Sequence, residues 1–145
     1  MAISVEILSG DNKLELPITT VKNYHFDYAE GDNYAKGNTE LLRLNLTIDV
    51  REILSMDGAF EDNLKLVQDI RDWMDCVYMN DDSYDEYYRQ VTVINYFIKE
   101  ELRKLRLDSA YVSTSEEFVD LVNGKHLITL ELLQKEDELE WQGQI

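Results

Sequence analysis

Two histidines, His25 and His126, one cysteine, Cys76, and 30 Asp and Glu residues are the side chains of this 145-residue chain with the widest chemical reach. A structural zinc site needs four ligands at workable spacing, and one cysteine with two distant histidines falls short. Each histidine occupies an outward slot of an alternating strand, so both are expected at the surface. Cys76 sits in a helical pattern as a small buried hydrophobe, with no second cysteine for a disulfide. Asp81-Asp82-Ser83-Tyr84-Asp85-Glu86 is rich in oxygen but lacks the mid-loop glycine and ligand spacing of a calcium loop. Gly31 and Gly37 bracket a polar stretch that is no phosphate cradle: Asn38 follows where Lys and Ser or Thr belong, and no helix begins there. So many carboxylates pair by chance, and no convergent acid, base and nucleophile set stands out. The reading is a non-enzyme with no catalytic residue, metal or cofactor.

The elements that would position a binding function are plainer. Leu42, Leu44, Leu46, Ile48 and Val50 alternate with Arg43, Asn45, Thr47 and Asp49, which puts one apolar and one polar face on a strand over residues 40–52. Tyr24, Phe26 and Tyr28 alternate with His25 and Asp27 in a preceding strand over residues 21–30. Between them lie Gly31, Asp32, Asn33, Tyr34, Ala35, Lys36, Gly37 and Asn38, too long for a tight turn and too polar for a core. Long loops inside compact domains are uncommon and are usually functional or disordered, so the question is what this one would bind.

Elsewhere, Ile3, Val5 and Ile7, the turn Gly10-Asp11-Asn12, and Leu14 and Leu16 read as an N-terminal hairpin stopped by Pro17. Leu64, Val67, Ile70, Trp73 or Met74, and Val77 recur at helical spacing and predict one amphipathic helix over about residues 60–79. Val91–Ile98 is apolar on both faces and predicts a strand covered on both sides. Leu102–Leu107, Ala110–Ser115 and Leu127–Leu133 complete the strands, with Glu116–Val122 either helical or irregular. The fold class is mainly β with one α-helix: a closed barrel or two packed sheets with a single amphipathic helix at the side. Residues 1–145 form one domain, and 136–145 is an acidic tail that is either flexible or docked on a neighbour.

The formal charge of −16 opposes binding to nucleic-acid phosphate and to anionic membranes. Residues 57–88 hold ten acidic against two basic side chains, half of that net charge. The basic patch is Lys99, Arg103, Lys104 and Arg106. No apolar stretch has the length of a membrane span, and the Met1–Leu8 start lacks a basic leader region, which predicts cytosolic synthesis without a signal peptide.

The order of these pieces resembles the haemolysin-coregulated tube protein of type VI secretion and the tail-tube subunits of contractile phages and phage-derived injection particles. The carriers are Lys13–Pro17, Tyr24–Tyr28, the loop Gly31–Asn38 running into Leu42–Ile48, the helix Leu64–Val77, then Leu105–Val112 and Leu127–Leu132, nearly the full length. The resemblance implies a small barrel with a side helix, six copies in a ring, and rings stacked into the inner tube of a contractile injection machine. The partners would be the chain itself, sheath, baseplate or spike proteins, and cargo in the lumen, and the assembled tube would be ejected or part of a released particle. Loop 31–38 would lie on an adjacent subunit or ring. Six copies would carry roughly −96, six times −16, so Lys99, Arg103, Lys104 and Arg106 are expected to face an acidic patch across an interface. The alternative is a non-polymerising acidic adaptor on a similar barrel, such as a cargo chaperone or an immunity-like binder of basic proteins.

Overall fold

The computed structural model describes residues 2–10, 12–30, 40–76, 87–134 and 142–144. Strict alternation makes Glu40–Asp49 (β4) a strand with one dry face: Leu42, Leu44, Leu46 and Ile48 are buried, while Arg43, Asn45 and Thr47 are half-exposed. β4 pairs antiparallel with Val21–Glu30 (β3) on one side and with Lys125–Gln134 (β7) on the other. The hairpin Ala2–Ser9 (β1) and Asn12–Leu16 (β2) joins the same sheet through Arg89–Phe97 (β5), which pairs with Glu100–Asp120 (β6). The path runs β2-β1-β5-β6-β7-β4-β3, and Gln142–Gln144 (β8) pairs with β6 at Lys104–Arg106.

Among the described pairings this sheet has two ends, β2 and β3, so no ladder closes it into a barrel. It is curled over nonetheless. β1 approaches β3, Asn95 Nδ2 on β5 donates to Tyr24 Oη on β3, and Arg103 Cζ on β6 lies 6.0 Å from the Phe26 ring centroid on β3. Strands distant along the path therefore face each other across a core of Val5, Ile7, Leu44, Leu46, Leu107 and Leu130. A mainly β architecture with an amphipathic helix at its side is what the periodicity predicts.

Several local expectations change. β4 stops at Asp49 because that side chain caps a short helix, Val50–Leu54 (α1): Asp49 Oδ1 accepts from the Glu52 backbone N–H at 3.2 Å. The expected strand to residue 52 and the single helix are both corrected by this cap. The long helix, Phe60–Asp75 (α2), buries Val67, Ile70, Trp73 and Met74 as its spacing predicts. Leu64 is exposed, and Asn63 takes the inward place because its Nδ2 donates to the Met56 carbonyl at 2.9 Å. Residues 77–79 of the predicted helix lie outside the described residues. Leu102–Leu107, Ala110–Ser115 and the first five residues of the undecided segment, 116–120, lie in one 21-residue strand, and Leu121 and Val122 begin the turn after it. Its register shift between Val112 and Thr114 is tied down by Ser113 Oγ, which contacts the Glu131 carbonyl at 3.1 Å and Oε1 at 2.7 Å. In β5 the two-sided cover holds over Val91, Thr92 and Val93 only, and Phe97 and Ile98 stand in solvent.

Candidate assembly surfaces

Loop Gly31–Asn38 lies outside the described residues, but the structure fixes what launches it. β3 and β4 stay in register to the pair Glu30 and Glu40, so the loop leaves from a fully paired hairpin at the end of the sheet. Below it Arg43 grips Asp27 with two hydrogen bonds, Nε to Oδ1 at 2.9 Å and Nη2 to Oδ2 at 2.7 Å. Those bonds hold the Asp27 carboxyl below its ordinary range. His25, exposed as expected, has Nε2 at 3.6 Å from Asp27 Oδ2.

The four cations of the basic patch do not share one face. Lys99 is exposed in the β5–β6 turn and Lys104 is exposed on β6. Arg103 has the parity of the buried Leu105 and Leu107 and lies half-buried over Phe26. Arg106 Nε is 2.9 Å from Asp108 Oδ1. The C-terminal strand β8 runs along the β6 edge at these positions.

His126 differs from its surface expectation. It is half-buried, with Nε2 2.5 Å from Glu117 Oε2 across the β6–β7 pair. Glu117 also accepts from Arg71 of α2, Nη2 to Oε2 at 2.7 Å and Nε to Oε1 at 3.2 Å. This triad from three elements docks the helix on the sheet, and sequence spacing gives no hint of it. The Arg71 guanidinium, and after it His126, hold the Glu117 carboxyl below its usual value. A carboxyl lowered on folding adds stability in full above its unfolded value and loses it as pH falls through the folded one. Glu117→Gln should therefore cost about 1 kcal/mol at neutral pH, and the gap to wild type should close on acidification, read from urea midpoints across the carboxylate range.

Cys76 is buried as expected, its thiol donating to the Asp72 carbonyl at 3.3 Å. The acidic run Asp81–Glu86 lies outside the described residues. Among the described residues no group of three or more His, Cys, Asp and Glu gathers as a metal site, and no helix is long and apolar enough to cross a membrane. A shallow groove of about 200 Å³ between β2 and α2 has Lys13, Asp62, Lys65 and Asp69 in its lining. Its lining mixes cations and carboxylates with Leu14 and Leu66.

This curled antiparallel sheet with a helix at its side is similar in fold to solved structures of an Hcp protein and of a sheath/tube terminator. The resemblance seen in the sequence holds at the level of fold. The chain is similar to the crystal structure of an Hcp protein, with a TM-score of 0.51 at 6% identity over 99% of this chain and 98% of that one. It is similar too to the sheath/tube terminator of the extracellular contractile injection system PVC in its extended state, with a TM-score of 0.50 at 15% identity over 97% and 93% of the two chains. Hcp1 from Flavobacterium johnsoniae gives 0.48 at 12% identity over 91% and 89%. No protein-family model and no curated protein sequence matches the chain.

Proposed function

We propose that this chain is a structural subunit that forms homohexameric rings, and that the rings stack into the inner tube of a contractile injection machine, either as tube body or as its end ring. The observation that carries this reading is the end-to-end likeness in fold to an Hcp protein and to a sheath/tube terminator. Both ends of the comparison are nearly complete, so the whole domain, not a fragment of it, is shared. The partners are other copies of the chain, then sheath or baseplate proteins around and below the tube, with cargo in the lumen. No step of chemistry is required.

The physics of the surface suits the reading. A contact whose rotation closes makes a ring, and a second contact along the axis that does not close makes a filament. Light scattering and negative-stain images of the purified chain test it. Rings near six times the 17.0 kDa chain mass are expected, some of them stacked. A persistent monomer that captures a basic protein would favour the adaptor reading instead.

Charge supplies a second check. Lys99 and Lys104 are the two exposed members of the basic patch, so reversing both avoids the Arg103 packing over Phe26. Lys99→Glu with Lys104→Glu takes each copy from −16 to −20. Assembly should weaken several-fold at low ionic strength and recover as salt screens the added repulsion. Sedimentation across a salt series reads this directly, and an unchanged profile would remove these lysines from the interface.

A further inference from the structure

Two hairpin tips, at opposite ends of β6, hold apolar side chains that the fold leaves in water. At the β5–β6 turn these are Phe97, Ile98 and Leu102, with Ile98 80% exposed. At the β6–β7 turn they are Phe118, Val119, Leu121 and Val122, the last two 89% and 93% exposed. Contiguous exposed apolar groups mark contact surfaces more often than single ones do.

Ile98 carries a second, independent signal. It is the non-glycine residue at positive φ, 61°, among the described residues. The turn Ile98-Lys99 joins the paired Phe97 and Glu100, and its first central position is one where glycine is preferred. A β-branched residue there is strained, and its side chain gains no burial within the chain in return. What such a residue can gain lies outside the chain.

The other tip is held rigid. Asp120 Oδ1 accepts from the backbone N–H of Val122 at 3.1 Å and of Asn123 at 3.2 Å, and Asn123 Nδ2 donates to Oδ2 at 2.7 Å. Gly124, at φ 64°, closes the turn, and Arg51 of α1 donates to its carbonyl. A tip already ordered loses little freedom on docking.

We propose that these tips are the two halves of one head-to-tail contact, in which the Leu121-Val122 tip of one copy seats against the Phe97-Ile98-Leu102 tip of the next copy along the axis. The inference rests on the self-assembly reading above and names its axial surface. Two observations favour a second copy over another partner. The tips terminate one strand at its two ends, so a contact between them is heterologous and propagates. The hairpin segments also differ in sign: Lys99, Arg103 and Lys104 outnumber Glu100 and Glu101 at one tip, while Glu116, Glu117 and Asp120 outnumber Lys125 at the other. Contact between unlike tips brings that opposite charge together, which eases the approach of copies that each carry −16.

The test uses the full chain and two variants, Ile98→Asn and the pair Leu121→Ser with Val122→Ser. Either should cut the stacked fraction at least tenfold in negative-stain counts while single rings persist. Ile98→Asn should also keep or raise the unfolding midpoint, which separates a lost contact from a damaged fold. Chains with Ile98→Cys mixed with chains with Val122→Cys should give an oxidised cross-linked pair, the buried Cys76 not competing. Rings that stack normally in both variants overturn this contact and leave the tube reading standing. A wild-type chain that stays monomeric and gives no mixed cross-link overturns both. Flotation with phosphatidylcholine vesicles, lost in the Leu121/Val122 variant, would assign that tip to a lipid surface and overturn the proposal.

Discussion

Trp73→Ala should cost about 3–5 kcal/mol of folding stability, enough to leave the chain partly unfolded at 37 °C if its stability is ordinary. The ring is fully buried at the centre of the α2 contact with the sheet. Its Nε1 donates to the Tyr87 carbonyl at 3.0 Å, and Arg89 Cζ sits 5.0 Å from the ring centroid. Truncation therefore removes one of the largest side chains of the core and leaves the Tyr87 carbonyl, in a part-buried bond, without this donor. It also takes away the aromatic face that a buried guanidinium rests on. Trp73→Phe keeps most of the volume and should recover more than half of the loss. Urea unfolding followed by circular dichroism measures both. A Trp73→Ala cost near 1 kcal/mol would mean that α2 contributes little to the fold.

The same helix shows how far the residues announce the fold. Val67, Ile70, Trp73 and Met74 are inward because a 3.6-residue repeat leaves them no other face, and Leu42 to Ile48 are inward because a two-residue repeat does the same. Asn63 breaks the pattern for a reason outside its own helix, the Met56 carbonyl waiting for its amide. α1 was within reach of the sequence: Asp49 and Glu52 stand at capping spacing, yet the alternation through Val50 reads more strongly as strand. The length of β6 was not within reach. Asp108-Ser109 looks like a turn, and only a partner strand shows otherwise, with Gln134 Oε1 accepting from the Ser109 N–H at 3.3 Å.

The candidate surfaces divide along the same line. Features carried by one segment, the hairpin that launches the polar loop and the exposed Lys99 and Lys104, can be read from residue order. Features assembled from several segments cannot. Arg71, Glu117 and His126 belong to α2, β6 and β7, and Arg103 turns inward because Phe26 of a distant strand offers it a ring. The strain at Ile98 was equally hidden, since nothing in the letters Phe-Ile-Lys-Glu states a backbone angle.

Shortening the polar loop should abolish stacking altogether and leave the domain folded. The pairing of Glu30 with Glu40 sets the design: residues 31–39 can be exchanged for Asn-Gly, the two-residue turn that matches the twist of an antiparallel pair. Asp27 and Arg43 keep their bidentate bond three rungs below, so the hairpin has its own clamp. Closing a shorter loop costs less chain entropy, and the unfolding midpoint should hold or rise slightly. If the loop reaches a sibling copy, its removal strips contacts that the β5–β6 and β6–β7 tips do not make up for by themselves, and tubes should vanish from negative-stain images at any salt concentration. That insensitivity to salt separates this variant from the Lys99/Lys104 reversal, whose defect is electrostatic and reversible. Persistent tubes would show that the stack is held elsewhere, with the β5–β6 and β6–β7 tips the first place to look. A collapse of the midpoint would make the loop part of the domain's own core.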